Sequence, residues 1–176
     1  MGTNEKHPSV RRVQQGRQIL RPAILYKEQI EREFMKYFYT MDMFYETGSL
    51  ESWIPNIKSN SDGYEYQYAI TNSNEELIGY LSYCIDFYSG NMSRFGLISF
   101  ERGNALIGKA VFEEIERCIN EYHLHRVEWR MVGGNPAENG YDAFLKKHNG
   151  NKHILKDAVK DRYGKYHDDV IYEIIL

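Results

Sequence analysis

Arg102, Gly103, Asn104, Gly108 and Lys109 stand together in the stretch ERGNALIGKAVFEEIERCI, directly after the apolar run FGLISF. Where a strand ends and a helix begins, the first helical turn presents unpaired N–H groups and the positive end of its dipole, and small residues let an anion come close. Two cations, two glycines and an amide at such a junction suit a phosphate or pyrophosphate. An ordinary structural account competes, in which Gly103 turns the chain and Lys109 is a solvated helix residue. On this segment alone that account leads, because glycines between strands and helices are common.

The other reactive side chains are dispersed. His123 and His125 flank a strand entry, and His148, His153 and His167 are scattered; metal ligation needs three or four convergent ligands, so no metal is expected. Cys84 and Cys118 lie among apolar neighbours without disulfide or zinc-type spacing, which points to buried thiols and a reduced, cytoplasmic setting. Glu101 and Asp86 end apolar runs, where burial can raise a carboxyl pKa and equip it as a base. The competing account makes both ordinary solvated acids.

Elements must position these groups. Within residues 26–45, Ile30, Phe34, Tyr37, Phe38, Met41 and Phe44 recur at three and four, a helical face interrupted once before Gly48. Tyr64, Tyr66, Tyr68 and Ile70 alternate with polar or small residues, and 77–85 is almost wholly apolar, which predicts a hairpin whose second strand is buried on both faces. A third strand over 95–100 leads into the opening stretch, where Ile107, Val111, Ile115, Cys118, Ile119 and Tyr122 form one helical stripe. Val127, Trp129 and Met131 alternate as a strand, GGNP breaks the chain, and Ala137, Tyr141, Phe144, Leu145 and His148 outline another helix. The tail reads as a closing hairpin, with 154–159 and VIYEIIL joined by the polar turn DRYGKYHDD. The expected fold is α/β (α+β), a mixed and largely antiparallel central sheet with helices on both faces. Residues 1–18, polar, aperiodic and basic, are expected as a mobile N-terminal extension, and 19–176 as a single domain.

With 176 residues, of which 42% are hydrophobic, the chain can bury a substantial core. A net charge of -3 gives no concentrated field for nucleic acid, and the basic run Arg11, Arg12, Arg17, Arg21 and Lys27 has no base-stacking aromatics. No apolar run approaches the ~20 residues that span a bilayer, so neither nucleic acid nor membrane is an expected partner.

The order of elements, together with three local signatures, resembles the GNAT superfamily of acyl-CoA-dependent N-acyltransferases from about residue 19 to the C-terminus. The family's phosphate loop, Arg or Gln followed at fixed spacing by two small residues, falls on Arg102, Ala105 and Ile107; the arginine matches and the glycines do not. Ile107 therefore adds bulk where the backbone would approach phosphate. The segment NPAENGYDAF matches through Asn135, Pro136, Ala137 and Tyr141. The tail KDAVKDRYGKYHDDVIYEII is similar to the closing hairpin of the ribosomal-protein and amino-sugar acetyltransferase branches, through Gly164, Lys165, Tyr166, His167 and Asp168.

The resemblance implies an N-acetyltransferase that passes an acetyl group from acetyl-CoA to a primary amine, on a small molecule or a protein N-terminus, by direct attack. It puts Arg102, Gly103, Asn104, Ala105, Leu106, Ile107, Gly108 and Lys109 around the pyrophosphate, with Asn135 nearby. The pantetheine would pair with a free strand edge at Ile98, Ser99 and Phe100, where the sheet splays from the strand ending at Val132. An N–H near Ser99 or Phe100 would polarise the acyl carbonyl, and Tyr141 would protonate the leaving sulfur; a core role for Tyr141 stands beside this one. Glu101, Asp86 or a water chain would take the amine's proton, while Phe38, Tyr39, Tyr45, Trp53 and Asp86 would wall the acceptor pocket. The departures at Ala105 and Ile107 keep an alternative in play, a catalytically weak or inactive GNAT-fold module for CoA binding or regulation. A homodimer is allowed for.

Overall fold

Ile30, Phe34 and Tyr37 fall on one side of helix α1 (Lys27–Thr40), and Ile30 and Phe34 are fully buried in a cluster with Ala69, Tyr80 and Ile98. The spacing of four and three residues is what places them on one face. The protein is described by a computed structural model over residues 20–40, 47–48, 54–59 and 62–176. The extension expected at 1–18 lies outside these residues. A short strand β1 (Leu20–Pro22) and a 3-10 turn (Ala23–Tyr26) lead into α1.

Seven further strands follow: β2 (Thr47–Gly48), β3 (Glu65–Thr71), β4 (Leu77–Asp86), β5 (Asn91–Ser99), β6 (Arg126–Val132), β7 (Asn151–Lys160) and β8 (Tyr166–Ile175). They form one sheet in the order β1-β3-β4-β5-β2-β6-β8-β7. Every pairing is antiparallel except β5–β6, which is parallel and confined to Asn91↔Arg126 and Met92↔Val127. Helix α2 (Ala105–Tyr122) buries Ile107, Val111, Ile115 and Cys118 against the sheet face opposite α1, and α3 (Glu138–Lys147) adds Tyr141, Phe144 and Leu145. Trp129 of β6 and Tyr172 of β8 stack at 5.2 Å beneath α3. The mixed, largely antiparallel sheet with helices on both faces agrees with the expectation from periodicity.

Three hairpins turn by the same device, a side-chain oxygen that accepts from the backbone N–H two residues on. Asn72 Oδ1 holds Asn74 and Glu76, Asp86 Oδ1 holds Tyr88, and Asp161 Oδ1 holds Tyr163 and Lys165. The last turn is shorter than the sequence suggested. Tyr166, His167 and Asp168 already belong to β8, because His167 Nε2 meets Asp161 Oδ2 at 2.9 Å and Asp168 pairs with Lys156 across the hairpin at 2.6 Å. Polar residues can continue a strand where both faces meet water, and β7 is largely exposed. β1 and β2 carry no periodic signal and were not expected; each is three residues or fewer.

Candidate active site

β5 and β6 start as neighbours at Met92 and Val127 and then diverge, so that at Gly96, Leu97 and Met131 a third strand fits between them. Above this splay the chain leaves β5, turns through residues 100–104 and enters α2, while across the gap β6 ends in Gly133 and Gly134 before α3. A cavity of about 380 Å³ opens between these ends. Its floor is Leu97, Ser99 and Val111, its α2 side Arg102, Gly103, Asn104, Ala105, Ile107 and Gly108, and its α3 side Asn135, Pro136, Ala137 and Tyr141.

The loop into α2 is built to present backbone amides. Gly103 has φ +78, a left-handed conformation that costs glycine little. Asn104 then caps the helix, its Oδ1 accepting from Leu106 N at 2.9 Å. Asn104, Ala105 and Ile107 line the cavity beside Arg102, so the first turn of α2, with its unpaired N–H groups and positive dipole end, borders it. Ile107, the residue that departs from the family loop, turns its side chain into the core and is 5% exposed. Its bulk is thus largely taken up by packing under the loop. On the opposite wall Asn135 is buried and accepts from Ala137 N at 2.9 Å, and Gly134, at φ +84, lets β6 leave the sheet sharply.

Tyr141 lines the cavity and is also core, 2% exposed, with its ring edge-on to Phe112 and tilted against Trp129 and Tyr172. Tyr141 thus takes the core position that the packing account expects and also borders the cavity. Glu101 is exposed at the turn, where its carboxylate accepts from Asn104 Nδ2 at 2.8 Å.

Several expected site residues are not brought together. Lys109 projects to solvent toward Glu113 at 3.7 Å and is absent from the cavity wall, as is Leu106. Ile98 and Phe100 point to the other face of the sheet, where Phe100 meets Phe34 and Tyr37; only their main chain can serve the site. Asp86 is the clear correction. It pairs with Asn91 at the far end of β5 while Gly79 pairs with Ser99, so Asp86 lies seven residues along β4 from the site, roughly 23 Å. Its carboxyl sits below the usual value, held there by the Ser89 hydroxyl and the Tyr88 N–H, rather than raised by burial. The side chains of Phe38, Tyr39, Tyr45 and Trp53 lie outside the described residues.

Toward the splay, Leu97 and Gly96 of β5 pair with Thr47 and Gly48, one rung short of the edge expected at Ile98, Ser99 and Phe100. Sequence reasoning further missed Leu97, Phe112 and Gly140 as wall residues. Leu97 reads as part of an apolar strand, Phe112 falls beside the helical stripe rather than in it, and Gly140 has no signal beyond its place one residue before Tyr141. Facing the other side of the splay, Tyr37 Oη donates to the Ser99 carbonyl at 3.1 Å and ties α1 to the end of β5. Among the described residues, no three His, Cys, Asp or Glu side chains converge as a metal site.

The mixed, mostly antiparallel sheet with its helices is consistent with the GNAT fold of solved acetyltransferase structures. Among solved structures the chain is similar to RimL, a ribosomal L7/L12 alpha-N-protein acetyltransferase in complex with coenzyme A, at 18% identity and a TM-score of 0.66, with 89% of this chain and 93% of that one covered. It is also similar to a chimera of the spermidine N-acetyltransferase SpeG from Vibrio cholerae with hSSAT, at 16% identity and a TM-score of 0.52, covering 65% and 69% of the two chains. A dodecameric structure of the Vibrio cholerae spermidine N-acetyltransferase matches at 15% identity and a TM-score of 0.52, covering 65% and 66%. No protein-family model and no curated protein matches the sequence. At these identities the likeness establishes the fold.

Proposed function

We propose that this protein is an N-acetyltransferase that uses acetyl-CoA to acylate a primary amine, on a small molecule or a protein N-terminus, within one domain over residues 19–176. The observation that carries the reading is the cavity of about 380 Å³ joining the capped N-terminus of α2 to the β5–β6 splay, with Tyr141 in its wall. Arg102 and the first-turn amides of α2 suit a pyrophosphate, and the apolar floor of Leu97 and Val111 suits a thin aliphatic arm. When bound, the cosubstrate supplies an activated thioester. The chain then has to hold the carbonyl near the end of β5 for an N–H to polarise, and to exclude water. The new N–C bond forms as the C–S bond breaks, and Tyr141 gives its proton to the departing sulfur. The amine's own proton leaves through Glu101 or water.

Acceptor selection falls to the α1 side of the splay, where Phe38, Tyr39, Tyr45 and Trp53 are the proposed wall. Among the described residues β7 ends the sheet, with Ile154 and Leu155 exposed, and such an edge supports self-association into a homodimer. Two buried free thiols support a reducing, cytoplasmic setting. The decisive experiment is titration calorimetry with acetyl-CoA, CoA and 3′-phosphoadenosine diphosphate, which lacks the pantetheine arm. Binding of the first two, weakened about tenfold or more by Arg102→Ala through loss of a charged phosphate contact, is the expected result. No binding of any of the three at ~1 mM, weaker than about -4 kcal/mol, would remove the donor reading.

A further inference from the structure

The strand between β5 and β6 belongs to the protein itself. Thr47 has Leu97 as its partner on one side and Met131 on the other, and Gly48 lies opposite Gly96. These two residues bridge the splay as a strand bridges its neighbours, although β5 and β6 pair directly only at Asn91↔Arg126 and Met92↔Val127. The cavity reaches the same place, because Leu97 forms its floor. Main-chain N–H and C=O groups of a strand lie in the plane of the sheet, and each edge accepts one neighbour. Any extended ligand arm that reaches along β5 to Leu97 and Gly96 must therefore exchange places with Thr47–Gly48.

We propose that Thr47–Gly48 is a gate strand that occupies the splay in the ligand-free protein and yields it when an amide-bearing arm enters. The proposal rests on the acyl-donor reading of the cavity and adds regulation to that site. Among the described residues this strand meets β5 at two rungs and β6 at one, and its glycine loses more backbone freedom on ordering than any other residue type. Its partner Gly96 contributes no side chain at the same rung. Both features keep the strand weakly held, in contrast to the seven-rung β6–β8 ladder beside it. The cost of displacement falls on the ligand, whose apparent affinity is its intrinsic affinity reduced by the fraction of protein with the gate open.

Thr47→Pro tests the gate, since proline withdraws an N–H from an interior strand and cannot be accommodated there. Acetyl-CoA and CoA should bind the variant about threefold or more tightly than wild type. The affinity for 3′-phosphoadenosine diphosphate should stay the same, because that ligand has no arm to reach the splay. Unchanged or weaker acetyl-CoA binding by the variant would overturn the gate and make the strand a fixed wall. Amide hydrogen exchange on the unmodified protein is a second measurement that needs no variant. Saturation with CoA should raise exchange at Thr47 while Met92 and Val127 keep their protection; continued protection of Thr47 in the complex would overturn the gate. If wild type binds 3′-phosphoadenosine diphosphate but neither cosubstrate, and the variant binds all three, the gate stands and holds the site shut. If neither binds, the donor reading falls and the gating role falls with it, whereas binding by wild type with no gain in the variant sinks the gate alone.

Discussion

Glu114 is a buried carboxyl in the core, 7% exposed, and its oxygens are met by donors from Arg117, Tyr83 and Cys118. Arg117 approaches both carboxylate oxygens at 2.8 and 2.7 Å, and the Tyr83 hydroxyl donates to Oε1. Burial and then the Glu114 charge push the Tyr83 hydroxyl well above its ordinary pKa, so it stays a donor, and the same two causes push the Cys118 thiol up to about 12. Tyr83, Glu114, Arg117 and Cys118 tie α2 to β4 and are not among the residues that line the cavity. Tyr141 differs in being both packed and in the cavity wall. Tyr141→Phe keeps the ring contacts to Phe112, Trp129 and Tyr172 and removes only the hydroxyl, so it isolates the proposed proton donor. Acyl transfer should fall about 10- to 1000-fold with CoA affinity nearly unchanged. Full turnover in single-turnover assays of that variant would leave Tyr141 with packing alone.

At the scale of elements, the helix that presents the site also has its stability written at the same residue. Asn104 caps α2 through Leu106 N and ties back to Glu101, so two substitutions separate fold from function. Asn104→Ala should cost about 1 kcal/mol in chemical denaturation. Asn104→Asp keeps a good cap and favours the helix dipole, yet sets a carboxylate where phosphate is proposed to sit. It should hold stability near wild type and weaken CoA binding about tenfold or more; equal affinity would place the phosphates elsewhere. The helical stripe of α2 was legible because Ile107, Val111, Ile115 and Cys118 follow a 3.6-residue period that only one-sided burial demands. The extent of β7 and β8 was less so, since an exposed hairpin imposes no alternation and its register rests on pairs such as His167 with Asp161.

For the whole molecule, surface electrostatics set the response to acid. His167 holds Asp161 below its ordinary pKa, Lys156 does the same for Asp168, Lys147 for Glu116 and Arg126 for Glu173. A depressed folded-state value stabilises the fold above the unfolded pKa of about 4, and that contribution disappears as pH falls through the folded values. The melting temperature should be level from about pH 5 to 7 and decline below about pH 4; a level profile down to about pH 3 would show that these exposed pairs contribute nothing, as many do. By itself the sequence determined the helices, the long strands, the two-sided layering and the glycine-bearing junction before α2, because periodicity and turn chemistry act between residues near in the chain. Only the tertiary structure decided which face Ile98 and Lys109 take, that Asp86 ends up at the wrong end of β5 for chemistry, and that Thr47–Gly48 enters the splay. Those outcomes depend on pairings between distant segments, where register and sheet order, rather than local spacing, fix which groups meet.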